Sequence, residues 1–311
     1  MLGWLKREKR TPGWFAFSIN ASDLDFAHGR WMPSGRSVIT AYGTEKLEGE
    51  KPDLGKLAHA LRLRRFECAA LLNPSEYQLV LVDAPNVPKV ELKSAIRWRI
   101  KDMIDCHVDD VTIDVLDIPV EGETAARNHP MYAVAARNEL IEAKIRGCEE
   151  AKIPLSVIDI QETAQRNIAA LYEAEERAVA LAYFGGESGL LTINFRSELY
   201  LARRFEVGLR DIESATASGG AALERLAVEI QRTLDHFDRS FRSIPVAKLL
   251  IAPTPTDTEL ASFVTSRLGI EAEAIDLRDV LDFGDAPPER ETQWRLFHHY
   301  GAALRHESKV L

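Results

Sequence analysis

The sequence is poor in the features that would announce a particular chemistry. Only three cysteines occur in 311 residues, Cys68, Cys106 and Cys148. They are odd in number, far apart and without a CxxC pair. This excludes a disulfide framework and predicts small buried apolar side chains in a reducing compartment. No run approaches the roughly 20 consecutive apolar residues of a membrane span, and no leader with an apolar core opens the chain, so a cytoplasmic protein is expected. Positive charge is in deficit, with 39 Lys+Arg against 48 Asp+Glu and a formal net charge of -9. An acidic body repels a phosphate backbone, so no nucleic-acid partner is expected. Nucleophile elbow, Walker lysine and Cys/His pair are all missing. His298 and His299 are adjacent, hence about 100° apart on a helix, whereas helical metal ligands recur every third or fourth residue. No metal site is expected.

Apolar residues make up 46% of the chain and charged residues 28%, with both signs interspersed. That composition describes a globular protein with a substantial core, long enough for two domains or one large bilobed unit. The opening segment places Leu2, Trp4 and Leu5 before Lys6, Arg7, Lys9 and Arg10. Residues 1–10 could make a weak, reversible contact with an anionic membrane surface, at about 1 kcal/mol per basic residue. A frayed, solvated terminus is the alternative.

Periodicity predicts a strand at Trp14–Ile19, a short helix near Leu54–Leu63, and strands at Cys68–Leu72 and Tyr77–Val82 around an Asn73-Pro74-Ser75 turn. A helix follows over Glu91–Ile104, with Leu92, Ala95, Ile96, Ile100, Met103 and Ile104 on one face. Next come a strand at Val111–Ile118, a loop from Pro119 to Pro130, a strand at Met131–Ala136 and a helix at Asn138–Lys152. After Ser156–Ile160, another helix and a charged hinge at Glu173–Arg177, a three-stranded meander is expected: Val179–Phe184, Gly189–Phe195 and Leu199–Val207. A long helix carries Leu223, Leu226, Ala227, Ile230, Leu234, Phe237 and Phe241 on one stripe, read as core. A strand at Lys248–Ala252, a helix at Thr258–Leu268 stopped by Gly269, a strand at residues 271–276 and a last helix near Thr292–Leu304 complete the chain.

The segment LVLVDAPNVPKVELKSAIRWRIKDMI, Leu79–Ile104, resembles the signature of PilM-type proteins of type IV pilus assembly. There a strand ends in a Pro-x-x-Pro turn, here Pro85 and Pro88, before a helix with an Ala-Ile-Arg-Trp core, here Ala95, Ile96, Arg97 and Trp98. LFHHYGAALR, Leu296–Arg305, is similar to the family's closing helix. The element order agrees along nearly the whole chain, and the divergent loops resemble MSHA-pilus members more than type II secretion relatives. The resemblance implies an α/β, bilobed actin-like ATPase fold, ribonuclease H-like and duplicated, with a small inserted α+β domain. It assigns 1–84 to the first lobe, 85–154 to the insert, 155–177 to a return to the first lobe, 178–290 to the second lobe and 291–311 to a closing helix.

In that superfamily two small turns grip ATP phosphates, each preceded by an Asp that positions Mg²⁺. Here the first turn reads FSINASDLDF, with Ser18 in the Asp position, Asn20 in the Gly position and Ser22 keeping the small character. The second reads AYFGGESGLL, with Tyr183 in the Asp position and Gly185, Gly186 and Ser188 retained; a tight hairpin turn explains those glycines equally well. The adenosine loop, glycine-rich in the family, is PTPTD here, and Pro253 and Pro255 lack N–H groups. Ser18, Asn20, Ser22, Gly185, Gly186 and Ser188 therefore read as remnants of nucleotide loops, with no cofactor expected and Mg-ATP disfavoured. By the same resemblance, Ile96, Arg97 and Ile100 flank a groove for the cytoplasmic tail of a PilN-like bitopic inner-membrane protein. The expectation is a non-catalytic cytoplasmic scaffold peripherally associated with the inner membrane, with self-association left open. The alternative is an ATP-binding actin-like switch.

Overall fold

The computed structural model describes residues 10–20, 22–33, 35–47, 53–119, 129–173, 176–218 and 220–306. The expectations for the basic residues before Arg10 and for the loop at 120–128 fall outside the described residues. Pro12 and Gly13, the latter at φ 105°, turn the chain into β1 (Trp14–Ile19). There follow β2 (Asp23–Arg30), β3 (Ser37–Lys46), α1 (Leu54–Ala60), capped by Asp53, and β4 (Glu67–Leu71). The next elements are β5 (Tyr77–Asp83), α2 (Lys89–Ile100), β6 (Val111–Asp117), β7 (Pro130–Arg137), α3 (Asn138–Ala151), β8 (Leu155–Asp159) and α4 (Gln161–Ala169). Then come β9 (Ala178–Phe184), β10 (Gly189–Phe195), β11 (Glu198–Phe205), α5 (Leu209–Ser218) and α6 (Ala221–Ser240). The last are β12 (Val246–Ile251), α7 (Leu260–Leu268), β13 (Ala272–Ala274), β14 (Leu281–Asp282) and α8 (Arg290–Ala303).

The chain divides into two compact units, one from the residues up to Leu24 together with Lys46–Gln161, the other from Asp25–Glu45 and the residues from Glu162. In the first, β1, β4 and β8 lie side by side and parallel, with Ala16 opposite Ala69 and Leu71 opposite Asp159. The same unit holds a three-stranded antiparallel sheet in the order β5-β7-β6. One face of it packs on α2 through Val82, Ile96, Ile100, Ile113 and Met131. Tyr77 and Ala136 on the other face gather Leu140 and Ile141 of α3.

In the second unit a five-stranded sheet runs β11-β10-β9-β12-β13, antiparallel through the meander and parallel from β9 onward. Beside α8 lies α4, and a β-carbon on Gly301 would meet the Ala164 carbonyl oxygen at 2.1 Å, so the two backbones touch at this glycine. α8 is buried almost all round from Leu296 to Ala303 rather than on one side.

One succession occurs twice: three consecutive strands, a helix, a strand parallel to the first of the trio, a helix, and a strand parallel to that one. β1 to β8 follow it with the three-stranded sheet inserted after β4; β9 to β13 follow it without an insert, with α5 added. This is the α/β, duplicated actin-like architecture expected. Four elements were not anticipated, β2, β3, α5 and β14, and α2 ends at Ile100, leaving Met103 half exposed.

Candidate functional site

The first turn closes tightly behind β1. The Asn20 amide donates to the Asp23 carbonyl at 2.8 Å, and the Leu47 amide donates to the Ser22 carbonyl at 2.8 Å. Ser18 is buried, while Asn20 and Ser22 are exposed. Ser18 lines a cavity of about 240 Å³ with Phe17, Leu54 of α1 and Leu140, Ala143, Gly147 and Cys148 of α3. No carboxylate lines it, and its one cation, Lys144, pairs with Glu76 at 2.9 Å. The acids just beyond are engaged. Asp23 meets Lys46 at 2.8 Å, and Asp25 accepts from Arg295 Nε at 2.8 Å and from Thr44 Oγ1 at 2.5 Å.

In the second unit, Gly185, Gly186, Glu187 and Ser188 form the turn between β9 and β10. The Gly185 amide donates to the Ser188 carbonyl at 2.9 Å. The Leu209 and Arg210 amides at the start of α5 donate back to the carbonyls of Gly185 and Gly186, at 2.7 and 3.3 Å. Gly208 makes this approach possible, since a β-carbon there would sit 2.5 Å from the Glu187 carbonyl carbon. The Gly185 amide and the first amides of α5, groups of the kind that could close on a phosphate, are thus spent within the fold.

Tyr183 occupies the place where the metal-positioning carboxylate is expected. Its hydroxyl donates to the Trp294 carbonyl at 3.3 Å. Its ring stacks on Phe297, centroids 5.4 Å apart, and meets the edge of His298 at 4.3 Å. Burial, with a smaller contribution from Asp25, pushes the phenol above its usual range, so it is neutral at physiological pH. Beneath it lies a buried polar network. Gln165 of α4 donates to the Leu181 carbonyl at 2.6 Å and to Thr192 Oγ1 at 3.1 Å, and its carbonyl oxygen faces His298 Nε2 at 3.2 Å. Asn167 donates to the Gly301 carbonyl at 3.0 Å, and Arg204 holds the buried Glu162 at 2.8 Å. Burial holds His298 well below its ordinary pKa, and Arg204 and His299 add to the effect. The sequence analysis places a helix here without singling out Glu162, Gln165, Arg166 and Asn167, whose polar side chains carry no apolar-face signal.

After β12, Thr254 donates to the Thr256 carbonyl at 2.6 Å, and Arg290 Nε donates to the Thr254 carbonyl at 3.3 Å. Pro253 and Pro255 leave this loop without the amides that a base or ribose would meet. Ser18 and Tyr183 thus stand where the resemblance expects carboxylates, the Gly185 amide is closed on the Ser188 carbonyl, and the loop after β12 is stiffened by proline.

On the insert, Ile96 and Ile100 are fully buried in the core between α2 and its sheet. Arg97 donates to the Val108 carbonyl and, at 3.1 Å, to the Val111 carbonyl, stapling α2 to the start of β6. The side chains assigned by resemblance to a peptide groove are therefore occupied internally. What α2 presents outward is Val90, 90% exposed, and Trp98, 71% exposed. All three thiols are free, and burial raises Cys68 to about 12 and Cys148 to about 11. Among the described residues, no group of three or more His, Cys, Asp or Glu side chains is arranged to hold a metal ion, and no helix is long and apolar enough to cross a membrane.

Comparison with known proteins places the fold. The chain superposes on a chain of the PilM-PilN type IV pilus biogenesis complex with a TM-score of 0.67 over 94% of its length and 96% of the other's, at 16% identity. Weaker likenesses, both at a TM-score of 0.48, are to the cytoplasmic domain of EpsL of the Vibrio cholerae type II secretion system, at 11% identity over 92% and 93% of the chains, and to a Bacteroides thetaiotaomicron protein of actin-like ATPase fold, at 8% over 96% and 99%. No family model matches the sequence, and no curated protein matches it. The class defined is the actin-like ATPase fold. Within it the chain follows a chain of the PilM-PilN complex over nearly its whole length.

Proposed function

We propose that the protein is a non-catalytic cytoplasmic scaffold of an MSHA-like type IV pilus assembly platform, holding the cytoplasmic tail of a PilN-like inner-membrane protein. The likeness of fold to a chain of a PilM-PilN complex, sustained over 94% of this chain, carries this reading. Tyr183, wedged against Phe297 where a metal-side acid would stand, supports the loss of ATP chemistry. Four of the five large apolar side chains exposed among the described residues, Leu81, Val90, Trp98 and Met103, lie on the insert and the turn after α2, which supports the insert as the docking surface.

The test is anisotropy titration of the full chain with labelled N-terminal tails of PilN-like proteins encoded beside it, with Mg-ATP calorimetry in parallel. The wild type binds one tail, and Trp98→Ala weakens it about 30-fold, as for an aromatic hot spot of ~2 kcal/mol. Calorimetry with Mg-ATP stays flat. Failure to bind any tail sinks the scaffold role. Micromolar nucleotide binding that Gly185→Val abolishes favours the ATP-binding switch instead.

A further inference from the structure

A second concavity lies in the first unit and shares no lining residue with the cavity at Ser18. About 710 Å³ in volume, it is lined by Gly55, Ala58, His59, Arg62, Arg64, Arg65, Glu150, Ala151 and Lys152. Four permanent cations thus face one acid, on a chain whose formal net charge is -9. Some surface arginines and lysines elsewhere on this protein find acids, as Arg210 finds Glu187 and Lys248 finds Glu273. Among the described residues, Arg62, Arg64, Arg65 and Lys152 form no ion pair. Like charges brought together without counterions repel one another, and an anion from outside removes that cost.

The backbone adds an independent observation. Arg62 and Lys152 stand at φ 54° and 59°, the left-handed region that ordinarily falls to glycine or asparagine. Both line this concavity, one after α1 and the other at the end of α3. Long cationic side chains thus stand at two positions where glycine would relieve the backbone.

We infer that this basic concavity binds the phosphate headgroups of an anionic membrane surface. The lining decides the class of ligand. Only glycine and alanine supply apolar surface, so the site selects for charge and not for an apolar ligand. The acidic body as a whole disfavours an extended polyanion such as nucleic acid, whereas a headgroup needs only the local field. Thr11 is hydrogen-bonded to the Arg65 carbonyl at 2.7 Å.

The site stands apart from the proposed tail-docking function, and its test does not involve that partner. The full chain is floated with vesicles of phosphatidylcholine alone and of phosphatidylcholine with 30 mol% phosphatidylglycerol, at low and high salt. The double variant Arg62→Asn, Lys152→Asn removes two charges while suiting the left-handed backbone. Arg225→Gln, Arg239→Gln removes the same charge from exposed positions on α6. At about fivefold per basic residue, the pocket variant partitions about 25-fold more weakly onto anionic vesicles, while the α6 variant stays near wild type. Circular dichroism melts confirm that both fold, and Arg64→Gln alone, outside the strained positions, repeats the effect at about fivefold. Three results overturn the inference: no anionic-vesicle binding by wild type, equal weakening by both double variants, or saturable binding of inorganic phosphate in the pocket without vesicle binding.

Discussion

The contact between α4 and α8 makes a sharp test of the packing argument, because the same substitution at two helical glycines is expected to act in opposite directions. In Gly301→Ala the new methyl would lie 2.1 Å from the Ala164 carbonyl oxygen and 2.7 Å from its carbon, where ordinary contact begins at 3.4 Å. Both atoms are backbone, so no rotamer change relieves the clash and the helices must part by roughly 1 Å. Parting them loosens Ile168, Phe297 and Tyr300, all fully buried, and breaks the Asn167 bond to the Gly301 carbonyl. Overpacking costs about 1–3 kcal/mol and the buried hydrogen bond adds about 1 kcal/mol, so a loss of ~3 kcal/mol is expected. Gly147, in the middle of α3, has nothing within 4 Å of a built β-carbon. There alanine relieves the cost of a helical glycine, and a gain of about 0.5–1 kcal/mol follows. Urea unfolding followed by circular dichroism reads both, compared at equal m-value. Gly301→Ala within ~1 kcal/mol of wild type would refute the close approach of the two helices.

Two further expectations concern acid stability and the insert. His298 and His299 are neutral in the fold because burial disfavours their charged forms, His299 being lowered to about 4 from the ordinary 6.5. The unfolded chain binds these protons first, so stability is fully present above pH 6.5 and falls as pH drops from there toward 4, with a slope approaching about 1.4 kcal/mol per unit for each histidine. Chemical denaturation between pH 7.5 and 4.5 should show this decline, and a His299→Gln variant whose decline matches wild type would contradict it. Ile100→Ala opens a cavity under α2 where wild type is fully buried, and should cost about 2–5 kcal/mol, read as a Tm drop and faster amide exchange in β5 and β7. Unchanged exchange there would mean that Ile100 is not part of that core.

How far the fold could be read depended on whether an element's company was local. β1 and β10 have the expected bounds, because apolar runs framed by turn residues need no distant information. β3 escaped notice because its ten residues alternate poorly and half of it is solvated. α5 was passed over because its start is organised by the Gly185-Gly186 turn, more than twenty positions back in the chain, and not by its own periodicity. α4 shows the deeper limit. Its polar side chains look like surface, yet from Glu162 to Ala169 every residue is buried, each polar group drawing on strands and on α8. Ser18 and Tyr183 stand out in the sequence by residue type alone, whereas the buried neighbours of Tyr183 do not. The peptide face was not readable, because an Ile-Arg pair on a helix reads the same whether it meets a partner or its own sheet.

The surroundings of Tyr183 resist a carboxylate at that position. A carboxylate in its place would face the rings of Phe297 and His298 instead of stacking, forfeiting an aromatic contact of about 0.5–1.5 kcal/mol in addition to the buried area. It would also put a charge beside Asp25, whose own charge is already satisfied by Arg295. His298, kept neutral by its surroundings and hydrogen-bonded to Gln165, would be drawn toward protonation, and the Gln165 bonds to the Leu181 carbonyl and Thr192 would be pulled with it. Tyr183 is thus part of the packing between β9 and α8. Because the ring, the imidazole and the amide support one another, reversing one of them costs stability before any ligand can repay it.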